Sequence, residues 1–133
     1  MKFFLAIVLA FVIVDVVIVF YVVYKRSRKK LSKQIKDEIC DSWKQIIRQS
    51  DKSHAIMNAD KLLDHTLTQL GYKGSLGAKL KKSPRLFKDI NSVWRAHKVR
   101  NNIAHQMNYK VTEKAYKDSM LAFKQAFKDL KIF

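Results

Sequence analysis

The sequence has few proline and glycine residues, which interrupt helices, and little cysteine, which forms disulfides. It has one proline, three glycines and one cysteine among 133 residues. So few backbone breakers favour long helices over a sheet of short strands. The single thiol, Cys40, excludes an internal disulfide and is compatible with a reducing compartment. We expect it to be a small, buried or half-buried side chain on a helix.

Apolar residues, by contrast, are concentrated at the N-terminus. Residues 3–24 form one apolar run with a single polar interruption, Asp15. As a helix this run is roughly 33 Å long, which is enough to cross a bilayer. It is too long for the apolar core of a cleaved signal peptide. The sequence therefore predicts an uncleaved transmembrane anchor over residues 1–24, in contact with the membrane through residues 3–24.

A basic juxtamembrane segment, residues 25–30, follows the anchor. Its cations are Lys25, Arg26, Arg28, Lys29 and Lys30. Only Lys2 precedes the apolar run, so the positive-inside rule predicts a single-pass protein whose C-terminal domain is cytoplasmic. We expect the segment to lie against anionic lipids at the membrane surface. Asp15 either contacts a polar group on another membrane helix, such as that of a second copy, or is simply tolerated in a very apolar anchor.

The remaining residues, 31–133, are enough for one small domain. They hold 21 Lys and Arg against 10 Asp and Glu, a net charge of +11 within a total of +16. Such an excess predicts a polyanionic partner, which is RNA, DNA or anionic lipid headgroups. A solvated basic face accounts for the same charges without any partner.

Apolar residues in this domain recur at helical spacing. They predict helices at about 31–49, 54–70 and 76–82, another from residue 84 or 86 into residue 105, and a last one from about residue 112. The fold class is therefore all-α, with the anchor followed by a small bundle of four main helices. Asp60, Asp64 and His65 lack the further ligands of a metal site. We expect no metal or cofactor, and a solvated helix edge or a partner for a nearby arginine instead.

The helix that ends at residue 105 carries the candidate site. Its apolar face continues into polar residues without rotating outward. The face comprises Leu86, Ile90, Val93 and Trp94, then His97, Arg100, Asn101, Ala104 and His105. An arginine at an interior position is costly unless it is paired or opens onto a cavity. A break of this kind in the apolar pattern usually marks a functional site.

Three segments carry a resemblance to a known family. The motif Arg-Asn-x-x-x-His at residues 100–105 follows the segment 55–64 and a glycine-containing loop at residues 71–77. Together they resemble the HEPN family (higher eukaryotes and prokaryotes nucleotide-binding domains) over residues 31–133. The resemblance implies a HEPN-like helical domain that often pairs as a homodimer. It further implies a metal-independent ribonuclease that uses Arg100 and His105 and leaves a cyclic phosphate.

Chemistry supports this pair independently of the resemblance. Attack by the 2′-hydroxyl of RNA needs a group that exchanges protons near neutral pH, for which histidine is suited. It also needs a fixed positive charge at the phosphorus, for which a guanidinium fork is suited. Asn101 is placed to orient the His105 ring, and His97 is a second candidate proton carrier. The predicted RNA contacts are Lys79, Lys81, Lys82, Arg95 and Lys98.

Geometry constrains the pair, because residues five apart diverge by about 140° on an ideal helix. Either the helix breaks near Asn102 or an identical subunit completes the site. Two other functions stay open. One is a non-catalytic dimeric scaffold or a nucleotide- or RNA-binding module, and the other is a structural protein at the membrane surface.

Overall fold

The computed structural model describes residues 1–26 and 30–133 and divides the chain into two compact units, residues 1–30 and 31–133. The described residues form six α-helices and one short 3-10 helix, and they contain no strand. The all-α fold class predicted from the scarcity of proline and glycine is therefore confirmed.

The first unit contains helix α1, Lys2–Arg26. Residues Lys2–Tyr24 are long and apolar enough to cross a membrane, and none of their side chains is buried. The described part of the chain has no other helix of this kind. Of the predicted membrane-surface cations, Arg28 and Lys29 lie outside the described residues.

The second unit contains five α-helices. They are α2 (Lys33–Ile46), α3 (Lys52–Gln69), α4 (Leu76–Lys82), α5 (Ile90–His105) and α6 (Glu113–Asp129), with a 3-10 helix at Pro84–Leu86 between α4 and α5. Each α-helix begins after a side chain that accepts a backbone N–H of its first turn. These caps are Ser32, Asp51, Ser75, Asp89 and Thr112. The helix predicted from residue 84 or 86 is split, because Pro84 begins the 3-10 helix and Asp89 starts α5 afresh.

Helix α3 is central to this unit, since it packs against α2, α4, α5 and α6. Its buried side chains include Ile56, Leu63 and Leu67. On the far side of the core, Phe127 of α6 lies against Trp43 of α2, with ring centroids 5.4 Å apart. Helix α5 packs against both α3 and α6, so that a polar residue on the buried stripe of α3 meets α5.

Candidate functional site on helix α5

Helix α5 runs without interruption from Ile90 to His105. Its N-terminal cap is Asp89, whose carboxylate accepts the Ser92 N–H at 3.0 Å. Hydrogen bonds from the Ser92 side chain and then from its backbone lower the pKa of Asp89 below the usual value. Because the helix does not break near Asn102, only a second subunit is left as a way to unite Arg100 and His105 at one phosphate.

A buried carboxylate on α3 organises the middle of α5. Asp60 is 3% exposed. Its Oδ1 lies 2.7 Å from Nδ1 of His97, and its Oδ2 lies 3.4 Å from Nε of Arg100. His97 and Arg100 are three residues apart and so project from adjacent turns of one side of α5. One carboxylate therefore joins an imidazole and a guanidinium.

The Arg100 guanidinium is held from two sides. Its Nη1 donates to Oδ1 of Asn101 at 3.0 Å. Its Nε is buried, has no hydrogen-bond partner among the described residues, and faces Asp60 at ion-pair distance. The Arg100 side chain is still 34% exposed. Asp60 thus supplies the partner that an arginine on an interior stripe requires, while part of the Arg100 side chain stays open to solvent.

His105 stands apart from this cluster. It is the last residue of α5 and is exposed. Asn101 was predicted to orient the His105 ring. Instead, its side-chain oxygen accepts a hydrogen bond from Arg100. In residues 1–26 and 30–133, no hydrogen bond or ion pair joins Arg100 to His105. The structure therefore brings together His97, Arg100 and Asn101 and leaves His105 at the end of the helix.

The His97 ring is nearly buried, with 14% of its side chain exposed. Its ring lies edge-on to the Trp94 indole, with centroids 5.9 Å apart. Gly77 of α4 approaches both rings, since a Cβ placed there would lie 3.5 Å from Trp94 and 3.8 Å from Nε2 of His97. Trp94 was expected in the core and packs against it, but it is only half-buried. Its open side faces an open depression of about 400 Å³.

The depression includes part of the predicted site on α5, but neither Arg100 nor His105 lines it. It is lined by Trp94, Arg95, His97, Lys98 and Asn101. A larger groove of about 840 Å³ lies between α5 and α6, but its floor is built from small apolar side chains such as Val93, Ala96 and Ala122. The larger groove shares only Arg95 with the predicted site, so the smaller depression is the candidate site.

The predicted RNA contacts are not equally accessible. Lys79 is 3% exposed, and its Nζ donates to Asp64 Oδ1 at 2.7 Å, to Thr68 Oγ1 at 2.6 Å and to the Asp64 carbonyl at 3.1 Å. These acceptors use all three ammonium hydrogens, so Lys79 ties α4 to α3 and is not available to a phosphate. The cations left on the surface are Lys81, Lys82, Arg95 and Lys98.

The carboxylates that suggested a metal site have other partners. Asp60 is engaged by His97 and Arg100, and Asp64 by Lys79. The described part of the chain contains no group of three or more His, Cys, Asp or Glu that could hold a metal ion. The sequence predicted either a solvated helix edge or a partner for a nearby arginine, and Asp60 is the partner of Arg100.

Asp60 was not identified from the sequence as a residue of the site. It lies four residues after Ile56 and three before Leu63, and therefore on the buried stripe of α3. In a domain of this size, an acidic residue on one buried stripe and an arginine on another are a sequence signal for a buried ion pair between the two helices.

No family model, curated protein or solved structure matches this chain.

Proposed function

We propose that this chain is a membrane-anchored, HEPN-like protein, built as a bundle of four main helices, that acts as a metal-independent endoribonuclease through Arg100 and His105. The observation that carries the proposal is the buried Asp60 carboxylate, which fixes the guanidinium of Arg100 and the imidazole of His97 on α5. A fixed guanidinium on the helix whose Arg95, His97 and Lys98 line an open depression suits a phosphodiester substrate.

The proposed location is the cytoplasmic face of a membrane. Helix α1 supports it by length and apolar surface, and the excess of cations after residue 24 supports it through the positive-inside rule. The cations of residues 25–30 would hold the catalytic domain near anionic lipids. An anchor of this kind also raises the local concentration of a second copy, which favours a homodimer.

The proposed chemistry is attack of a ribose 2′-hydroxyl on the adjacent phosphorus. The O2′–P bond forms, the P–O5′ bond breaks, and the products are a 2′,3′-cyclic phosphate and a free 5′-hydroxyl. Arg100 opposes the charge that develops on the phosphate oxygens, and its side chain is partly open to solvent. His105 exchanges the protons, which its exposure permits.

A second function is favoured by a different observation. The Arg100 cation is already engaged by Asp60 and Asn101, and His105 is on a different side of the same unbroken helix. A polar network of this kind also suits a non-catalytic dimeric scaffold, or a nucleotide- or RNA-binding module, in which the charges only join α3 to α5.

The two functions differ in what they do to RNA and DNA of one sequence. In detergent micelles with EDTA, we expect the full chain to cut single-stranded RNA and to leave the DNA intact, because DNA lacks the attacking 2′-hydroxyl. The new RNA ends should carry a 2′,3′-cyclic phosphate. Retention of RNA without cutting would support the binding module. Binding only to anionic vesicles, lost when the cations of residues 25–30 are removed, would support the surface structural role.

A further inference from the structure

Trp94 differs from the other tryptophan and from the core phenylalanines because part of its ring system stays open. Trp43 is 6% exposed, and Phe123 and Phe127 are fully buried. Trp94 packs against the core but is only half-buried, and it lines the depression of about 400 Å³. Its Nε1 is not a buried atom and donates to no acceptor within the described residues. The indole therefore presents both apolar surface and a donor to solvent.

The packing around Trp94 holds its ring in place without covering it. On α4, Gly77 has no side chain, and a Cβ placed there would lie 3.5 Å from Cη2 and 3.6 Å from Cζ3 of the indole. The His97 ring lies edge-on to the indole and is itself held by Asp60. A ring that two elements support needs little ordering when a ligand binds, so this surface is preorganised.

Two exposed cations line the depression beside Trp94. Arg95 is the next residue, its side chain is 70% exposed, and its Nη2 donates to Oγ of Ser92 at 2.6 Å. Lys98 is one helical turn after Trp94, is exposed, and makes no ion pair or hydrogen bond within the described residues. An open ring beside cations suits a ligand that carries both flat apolar groups and negative charges, whereas binding by charge alone needs no ring.

We propose that the depression binds one unpaired base of a single-stranded RNA, which stacks on Trp94 while Arg95 and Lys98 contact the phosphates next to that base. Stacking needs only the flat face of the base, so the contact accepts any of the four bases. A base inside a duplex is stacked on its neighbours and does not reach the ring. The inference rests on the proposed function and specifies its substrate as single-stranded RNA.

The bound base lies at a distance from the reacting phosphate. Trp94 and His105 fall within about 20° of arc on the unbroken helix and about 16 Å apart along its axis. Lys98 and Asn101 lie between them on the same side. A strand that follows this side of α5 therefore has its base at Trp94 in a nucleotide other than the one that reacts. Such a contact holds substrate and transition state equally, so it affects KM and not kcat.

An oligonucleotide that the proposed ribonuclease cannot cut tests the base contact directly. In detergent micelles, a single-stranded DNA should quench part of the tryptophan fluorescence of the full chain, because stacking and phosphate contacts do not need the 2′-hydroxyl. Trp94→Phe keeps a ring for stacking and leaves Trp43 as the only tryptophan, so this variant should bind the DNA without quenching. An abasic DNA of equal length should bind by charge and quench neither chain.

Removal of the ring measures its share of the binding. Trp94→Leu keeps an apolar side chain against the core. It should weaken DNA binding by about 10-fold and raise the KM for RNA by a similar factor, with kcat nearly unchanged. Trp94→Phe should recover most of this loss. The matched control is Tyr116→Leu, which removes a half-buried ring from α6, away from the depression, and should leave both quantities unchanged.

The outcomes separate the base contact from the ribonuclease function. A chain that cuts no RNA but whose Trp94 is quenched by DNA keeps the base site and loses the proposed reaction. A chain that cuts RNA, with neither quenching nor a change of KM in Trp94→Leu, would overturn the inference alone. Quenching by added anionic lipid, but not by DNA, would overturn it in favour of a lipid headgroup. If Trp94→Leu fails to fold, the quenching of the parent chain and of Trp94→Phe still decides.

Discussion

Replacing Asp60 by alanine is expected to lower the free energy of unfolding of the 31–133 unit by about 3 kcal/mol. The carboxylate is 3% exposed and is the partner of both His97 and Arg100. Its removal leaves the buried side of the Arg100 guanidinium without a counter-charge and Nδ1 of His97 without its hydrogen-bond partner. An uncompensated buried charge is the larger cost of breaking a buried pair. A loss of this size corresponds to a decrease in Tm of about 15 °C for a unit of this length.

Tryptophan fluorescence during urea titration of the full chain measures this loss directly. Both tryptophans, Trp43 and Trp94, belong to the 31–133 unit, so the signal reports that unit and not α1. The matched control is Asp118→Ala, which removes an acid from an exposed pair with Lys114 on α6 and should change stability little. Equal effects of the two substitutions would mean that Asp60 does not hold α3 and α5 together.

Substitution of Arg100 is expected to abolish most of the cleavage of RNA. Both Arg100→Ala and Arg100→Lys should lower the rate by at least about 10²-fold, because a compact ammonium cannot replace the guanidinium fork that faces Asp60 and, in the proposed reaction, the phosphate. Lysine keeps a positive charge near Asp60, so the fold should suffer less from Arg100→Lys than from Arg100→Ala.

The rate of RNA cleavage by full chains in EDTA, compared with the fluorescence titration of the same variants, separates catalysis from folding. The matched control is Arg48→Lys, since Arg48 is exposed and follows α2, away from the depression. A folded Arg100→Lys chain that cuts RNA as fast as the control would show that the guanidinium has no part in the reaction. The same result for Arg100→Ala would exclude any role of charge at this position.

Much of the fold was predictable because helices leave local signals. Thr112 was predicted to start the last helix and caps α6, and the predicted 76–82 helix has the bounds of α4. The start of α5 was the bound misplaced most, because Pro84 is compatible with a first helical turn of either kind and the turn it begins is a 3-10 helix. The first helix of the domain was predicted to run to residue 49 and ends at Ile46. Capping and spacing are properties of neighbouring residues, and a sequence displays them directly.

The site was less predictable because its contacts join distant residues. His97 and Asp60 are separated by 37 residues, and no local rule pairs them. Lys79 was assigned to a basic surface because lysine is rarely buried, yet Asp64 and Thr68 satisfy its ammonium inside the fold. The positions of Arg100 and His105 relative to each other follow from helix geometry, and that part of the prediction depends only on α5 remaining unbroken.

The most direct test of an RNA-cleaving site on α5 is the rate ratio between two histidine variants. His105→Ala and His65→Ala each remove one exposed imidazole, the first at the end of α5 and the second from α3. In EDTA, the full chain with His65→Ala should cut RNA at the parental rate, and the chain with His105→Ala about 10²- to 10⁴-fold more slowly. Equal rates for the two variants would contradict a catalytic role for His105 and would favour a helical protein that acts by binding.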